Sequence, residues 1–157
     1  MNTTPPPPAT TNKNNRRRQN RIAAMQYLYA WDIIRPENPA EFTRQFFTTQ
    51  EHPRAYYTFA EELVHGVLAH HPDIDESIRA YAQNWTFERI AKVDLAILRL
   101  ATHELLHRPD IPPIVTINEA IELAKTYSAQ DSKRFVNGIL DRIKNHLNRP
   151  HREALNP

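Results

Sequence analysis

The sequence predicts an all-α protein of about seven helices, and three observations carry that expectation. Apolar residues recur at three- and four-residue spacing in one stretch after another, which is the period of an amphipathic helix, and no stretch alternates as a half-buried strand would. Prolines fall between these stretches as stop signals. Only two glycines occur, Gly66 and Gly138, too few for a series of glycine-turn hairpins or a glycine-rich phosphate cradle. At 157 residues the chain is long enough for one domain with a true core.

The first fifteen residues, MNTTPPPPATTNKNN, are mostly Pro, Thr and Asn. They hold too little apolar surface to offset their ordering entropy, so residues 1–15 are expected to form a disordered arm ahead of a single helical domain over 16–147. Ile22, Met25, Leu28 and Tyr29 share a face and predict a first helix over about 18–34, stopped by Pro36. A short amphipathic run, AEFTRQFFTTQ, follows. After Pro53, AYYTFAEELVHGVLAHH carries Phe59, Leu63, Val67 and Leu68 on one side, and Pro72 is expected to close it. Asp73 or Asp75 would then cap IDESIRAYAQNW as a separate helix. In ERIAKVDLAILRLATHELLH, Ile90, Val93, Ile97, Leu98, Ala101 and Leu105 form one broad stripe that ends before Pro109. Thr116 and Glu119 spell a capping box for INEAIELAKTYS. In DSKRFVNGILDRIKNHL, Asp131 is the expected N-cap and Phe135, Ile139, Leu140 and Ile143 face inward. Residues 148–157 read as a frayed tail. Both glycines lie inside helices, where each costs about 1 kcal/mol relative to Ala, so close helix contact is expected at each.

Composition excludes several classes of function. Without cysteine there are no disulfides, thiolate nucleophiles or Cys-type zinc sites, in keeping with a reducing, cytoplasmic setting. No run approaches the ~18 apolar residues of a membrane span, and the N-terminus lacks the apolar core of a signal peptide. The net charge of +2 is unevenly spread. Residues 1–21 hold Lys13, Arg16, Arg17, Arg18 and Arg21 and no acid, which leaves 15 basic against 18 acidic groups in the remaining 136 residues. A basic segment joined to a mildly acidic body points to a polyanionic partner.

HELLH at 103–107 fits the H-E-x-x-H signature, in which two histidines one turn apart hold zinc and the glutamate activates water. Glu119 or Glu122 would have to be the third ligand. The setting argues against a zinc hydrolase. Glu119 has a competing task as a capping residue, and the interval after His107 is a short, proline-stiffened loop. His103 lies almost opposite the apolar stripe, so both histidines are expected on the outward side, while Glu104 points partly inward. No metal and no catalytic residue is expected.

In NNRRRQNRIAAMQYLYAWD, residues 14–32, three arginines stand at a helix N-terminus, where the macrodipole favours acids. Helix stability does not explain them, and an external anion does. Arg17, Arg18 and Arg21 can line the first turns with forked donors for phosphates, and Tyr29 offers a ring for a base.

These residues, together with NWTFERIAKVDLAILRLATHELLH, INEAIELAK and SKRFVNGILD, make the chain resemble the NusB family of bacterial transcription antitermination factors over roughly residues 16–144. The resemblance implies an all-helical protein built as two packed helical subbundles, with no catalytic activity and no cofactor. It implies binding of boxA-type single-stranded RNA in ribosomal RNA leaders, together with NusE, the small-subunit ribosomal protein ten. That complex would join the RNA polymerase elongation complex with other Nus factors and promote processive transcription. Carried over by position, Arg16, Arg17, Arg18 and Arg21 lie at the RNA, and Asp131, Ser132, Arg134 and Phe135 lie near the same strand. Tyr29, Ile33 and Asp94 fall at or beside the surface for the ribosomal protein. Two other readings compete with this one, the zinc hydrolase and a helical module that binds protein only, with arginines that serve solubility.

Overall fold

A computed structural model describes residues 9–155. Among these residues the chain forms six α-helices and no strand: α1 (Ala9–Ile34), α2 (Pro39–Thr48), α3 (Thr58–Tyr81), α4 (Lys92–His107), α5 (Pro113–Tyr127) and α6 (Ser132–Asn145), with 3-10 turns at Arg54–Tyr57 and Phe87–Arg89. α4 is the axis of the fold. It packs on α1 and α3 on one side and on α5 and α6 on the other, and every residue from Asp94 to Leu105 is buried. A helix covered all round must be apolar or have its polar groups satisfied inside the protein. The expected single stripe on α4 is therefore too narrow a description.

The buried charged positions of α4 are met by partners from other segments, while Thr102 Oγ1 and His103 Nδ1 have no hydrogen-bond partner among the described residues. Arg99, 2% exposed, donates Nε and Nη2 to Asp75 at 2.8 and 2.9 Å. Its Nη1 lies 3.0 Å from an Asp32 oxygen, a charge contact without hydrogen-bond alignment. Lys92 and Arg35 also hold Asp32. Burial alone would raise the Asp32 pKa, but hydrogen bonds from Lys92 and Arg35 and the adjacent Arg99 charge outweigh it and keep the carboxyl well below the usual carboxylate range.

Several expectations need correction. α1 begins at Ala9, nine residues before the expected start at 18, so residues 9–15 are helical and not a disordered arm; residues 1–8 lie outside the described ones. Ala9 directly follows the proline run, and beyond it no residue breaks a helix. Pro72 does not end a helix, because α3 runs through it to Tyr81. Ile74 and Ile78 continue the buried face of Leu63, Val64 and Val67, and that continuity offsets the hydrogen bond lost at proline. Asp75, freed from capping, becomes the partner of Arg99. α5 starts at Pro113, which puts Thr116 inside the helix, where its hydroxyl donates to Glu104 at 2.9 Å and forms no capping box. Asp131 does stand at the N-cap of α6, but without a side-chain cap bond.

Gly66 meets the close-contact expectation, since a Cβ there would fall 2.0 Å from the His103 ring. Gly138 does not, because its Cβ would make only ordinary contact with Arg142. The tail after α6 is tethered at several points and not frayed. Arg149 donates to the carbonyls of Leu105 at 3.1 Å and Ile111 at 2.9 Å, and the Leu155 N–H donates to Pro109 at 2.7 Å. The last turn of a helix leaves carbonyls without intrahelical donors, and at the end of α4 this arginine supplies one.

Candidate nucleic-acid interface

The first turn of α1 contains no acid, and the arginines that follow it have different fates. Arg16 is exposed, stacks on the Tyr56 ring at 4.6 Å and donates to the carbonyls of Tyr56 and Ala55, each at 3.2 Å. Arg17 lies over the Phe59 ring at 4.4 Å and forms no ion pair among the described residues. Partial burial pulls its pKa below the ordinary arginine value, and repulsion from Arg21 and Arg108 adds to the effect. A cation held among cations is stabilised by an incoming anion. Arg18 forks onto Glu119 at 3.0 and 3.1 Å with more than half of its side chain in water, and such a surface pair contributes only ~0–1 kcal/mol. A phosphate can displace it.

Arg21 departs from its expected role at the RNA. It is 4% exposed and gives two parallel hydrogen bonds to Glu104, at 2.8 and 3.0 Å. Three to four residues along α1 from Arg17 and Arg18, it occupies the same face but lies beneath the α1–α4 contact, where a core carboxylate claims it. Between α1 and the start of α5 runs a groove of about 710 Å³, lined by Arg17, Arg18, Asn14, Asn15, Asn118 and Val115 among others. It combines cations, amides able to meet base edges, and an apolar wall.

The second set of expected RNA residues lies at the opposite end of α4. Arg21 and Thr116 meet α4 at Glu104, whereas the start of α6 meets it at Asp94; ten residues of helix separate the two points by about 15 Å. Asp131 and Arg134 are exposed there, and Phe135 is half-buried against Trp85, ring centroids 5.3 Å apart at 60°. Ser132 is not available to RNA as expected. It is 7% exposed and donates to Asp94 at 2.9 Å, while Ser128 donates to the same carboxylate with its oxygen 2.9 Å from the Ser132 hydroxyl oxygen. Asp94 is itself 6% exposed, so it fastens α4 to α6 and presents no carboxylate to a partner. The fold thus joins an expected partner contact to an expected RNA contact by one hydrogen bond. Tyr29 and Ile33, 39% and 57% exposed, remain open on α1 beside a small hollow lined by Met25, Val93 and Tyr127.

The HELLH segment is buried from His103 to Leu105, whereas Leu106 and His107 are exposed, His107 as expected. His103, expected to face outward, is 4% exposed and fills the space left by Gly66. Glu104, the base a zinc hydrolase would require, is 1% exposed and engaged by Arg21 and Thr116. His107 stacks on His70 with centroids 4.0 Å apart, so the two rings present faces, and not converging lone pairs, to each other. Burial pushes the His103 pKa down to about 4, helped by His107, Arg108 and His70.

Sequence reasoning missed Trp85, which is 57% exposed. It ends the run IDESIRAYAQNW, expected to be helical throughout, but α3 stops at Tyr81 and leaves Trp85 in the connecting segment, where helix patterning assigns it no face.

These features define a class of protein: an all-helical domain with an arginine-lined groove between its first helix and the start of its fifth. Known proteins narrow the class. The chain belongs to the NusB family, whose profile matches residues 18–145. It is 46% identical over 132 residues to the transcription antitermination protein NusB of Geobacter sp. (strain M21), covering 80% of this chain and 91% of that one. With the protein of the same description from Geotalea daltonii it shares 58% identity over a shorter match, 58% of this chain and 63% of the relative. Among solved structures, the fold matches Thermotoga maritima NusB with a TM-score of 0.75 at 35% identity, covering 88% and 93% of the two chains. It also matches a chain from a crystal structure of antitermination factors NusB and NusE in complex with dsRNA, with a TM-score of 0.73 at 28% identity, over 85% and 98%. No helix among the described residues is long and apolar enough to cross a membrane.

Proposed function

We propose that this protein binds boxA-type single-stranded RNA of ribosomal RNA leaders together with NusE, and that the pair acts on the RNA polymerase elongation complex with other Nus factors to keep transcription processive. It works in the cytoplasm, by binding alone and without catalysing a reaction. The observation that carries this reading is the groove beside Arg17 and Arg18, where one guanidinium has no carboxylate partner and the other holds one that phosphate can displace. Arg16 and Arg134 extend the cationic surface, and the ring of Phe135 suits an unstacked base. Tyr29 and Ile33 form the surface for the protein partner. Family membership and the solved NusB and NusE complex with RNA support the same reading.

The test is a titration of boxA-type RNA with and without NusE at two salt concentrations. Weak binding alone, tighter binding with the partner and affinity that falls with salt are expected. RNA binding that is absent, or indifferent to salt in both cases, would overturn the reading.

A further inference from the structure

We propose that Trp85 is a base-stacking residue for single-stranded RNA, forming with Phe135 an aromatic corner at the end of the binding surface remote from the arginine groove; this rests on the RNA-binding reading above. The chain has two tryptophans, and they are treated oppositely. Trp31 is packed in the core at 6% exposure, whereas Trp85 keeps 57% of its surface in water. An indole left this open has given up the burial that usually justifies it.

Trp85 is also held in place. The segment between α3 and α4 is anchored where it begins, by Arg142, which donates Nε and Nη2 to the Tyr81 carbonyl at 3.1 and 2.9 Å. Gln83 then turns the chain with a left-handed φ of 53°, a conformation that non-glycine residues rarely adopt. The Trp85 N–H closes the turn onto the Ala82 carbonyl at 3.1 Å, and the following Phe87 is pinned under Arg79, 4.6 Å from its ring centroid. Phe135 braces the indole at 60°. A backbone fixed at this cost, presenting an aromatic ring outward, is preorganised for a flat ligand.

Charge decides which kind of ligand. Lys133 and Arg134 on the first turn of α6, and Arg89 near the indole in sequence, are exposed and form no ion pair among the described residues. The acids of the same region, Glu88 and Asp131, are exposed as well, so the corner is mixed but retains cations free to meet phosphate. An aromatic platform with unpaired cations beside it is the pattern by which proteins hold unpaired nucleotides. A protein partner is the weaker fit, because the apolar surface suited to one, at Tyr29 and Ile33, lies on α1, whereas Trp85 adjoins α3 and α6.

The experiment uses the full chain and a boxA-type RNA oligonucleotide, read by tryptophan emission and by affinity at several salt concentrations. Emission from wild type should be quenched on binding, and Trp85→Phe should abolish the quenching while keeping affinity within about threefold, since a ring remains. Trp85→Ala should weaken binding by roughly tenfold or more, with the slope of affinity against salt unchanged, because stacking releases no counterions. Emission from buried Trp31 and the melting temperature report that the variants are folded. Wild-type affinity in folded Trp85→Ala would overturn the proposal, as would an indole signal that responds to NusE and not to RNA. Failure of wild type itself to bind RNA would overturn the function above along with this proposal, which distinguishes the two failures.

Discussion

The two ends of α4 are fastened in different ways. At its C-terminal end Glu104 is met by a guanidinium and a hydroxyl, from Arg21 and Thr116, all of them buried. At its N-terminal end Asp94 is met by two hydroxyls, from Ser128 and Ser132, with no ion pair. The first is a charge-paired lock within the core, and the second a clasp of hydroxyls on a carboxylate just under the surface. The proposed binding groups sit outside each: Arg17 and Arg18 over the lock, Arg134, Phe135 and Trp85 around the clasp. Residues adjacent in sequence and alike in type therefore divide by depth into those that hold the fold and those left for a ligand.

The largest effect is expected at the lock. Arg21→Ala leaves Glu104 charged, buried and without its cation, and should cost about 3–5 kcal/mol in chemical denaturation. A loss below ~1 kcal/mol would show that the pair is not structural. Next comes acid. The His103 pKa lies at about 4 when folded against about 6.5 when free, so the unfolded chain binds more protons between those values. Stability should hold above about pH 6.5 and fall as pH drops towards 4, by up to about 3 kcal/mol from this residue. His103→Gln should flatten that slope, and an unchanged slope would refute the assignment. At the clasp, Ser132→Ala removes one donor and leaves Asp94 with Ser128, at an expected cost of about 1–2 kcal/mol in the same denaturation assay. A cost equal to that of Arg21→Ala would erase the contrast between the ends. The smallest effect belongs to Asp131→Asn. No side-chain bond holds this exposed carboxylate, so stability should stay within about 0.5 kcal/mol, and RNA affinity should rise or stay level as a repulsive charge leaves. A clear loss of affinity would mean that the carboxylate contacts RNA directly.

Much of the fold is legible in the sequence because period and proline carry it. The ends of α1 and α4 follow from those signals alone, and Asp131 marks the start of α6. Pro72 and the Thr116–Glu119 spacing mislead for one reason: both are local cues, overridden by contacts with distant segments. The buried face of α3 carries its helix through the proline, and Glu104 draws Thr116 into the core. The interface was legible by residue type and less so by depth. Arg17, Arg18 and Arg21 fit one face of a helix equally well, and only the position of Glu104, 83 residues away in sequence, separates Arg21 from the others. Asp94 and Ser132 were singled out by family resemblance, and the fold uses them on each other. Trp85 ended a run expected to be helical, and only the early end of α3 at Tyr81 shows that its ring is left in a connecting segment.

Arg17 and Arg18 are left for the ligand, whereas Arg21 belongs to the fold. The deciding measurement is the slope of log affinity for boxA-type RNA against log salt in the double variant Arg17→Ala, Arg18→Ala, with melting followed in parallel. Melting should be unaltered and the slope shallower by about 0.7 for each arginine removed, since each should release one counterion on a single strand. A slope equal to that of wild type, in a protein that melts normally, would contradict that division of roles.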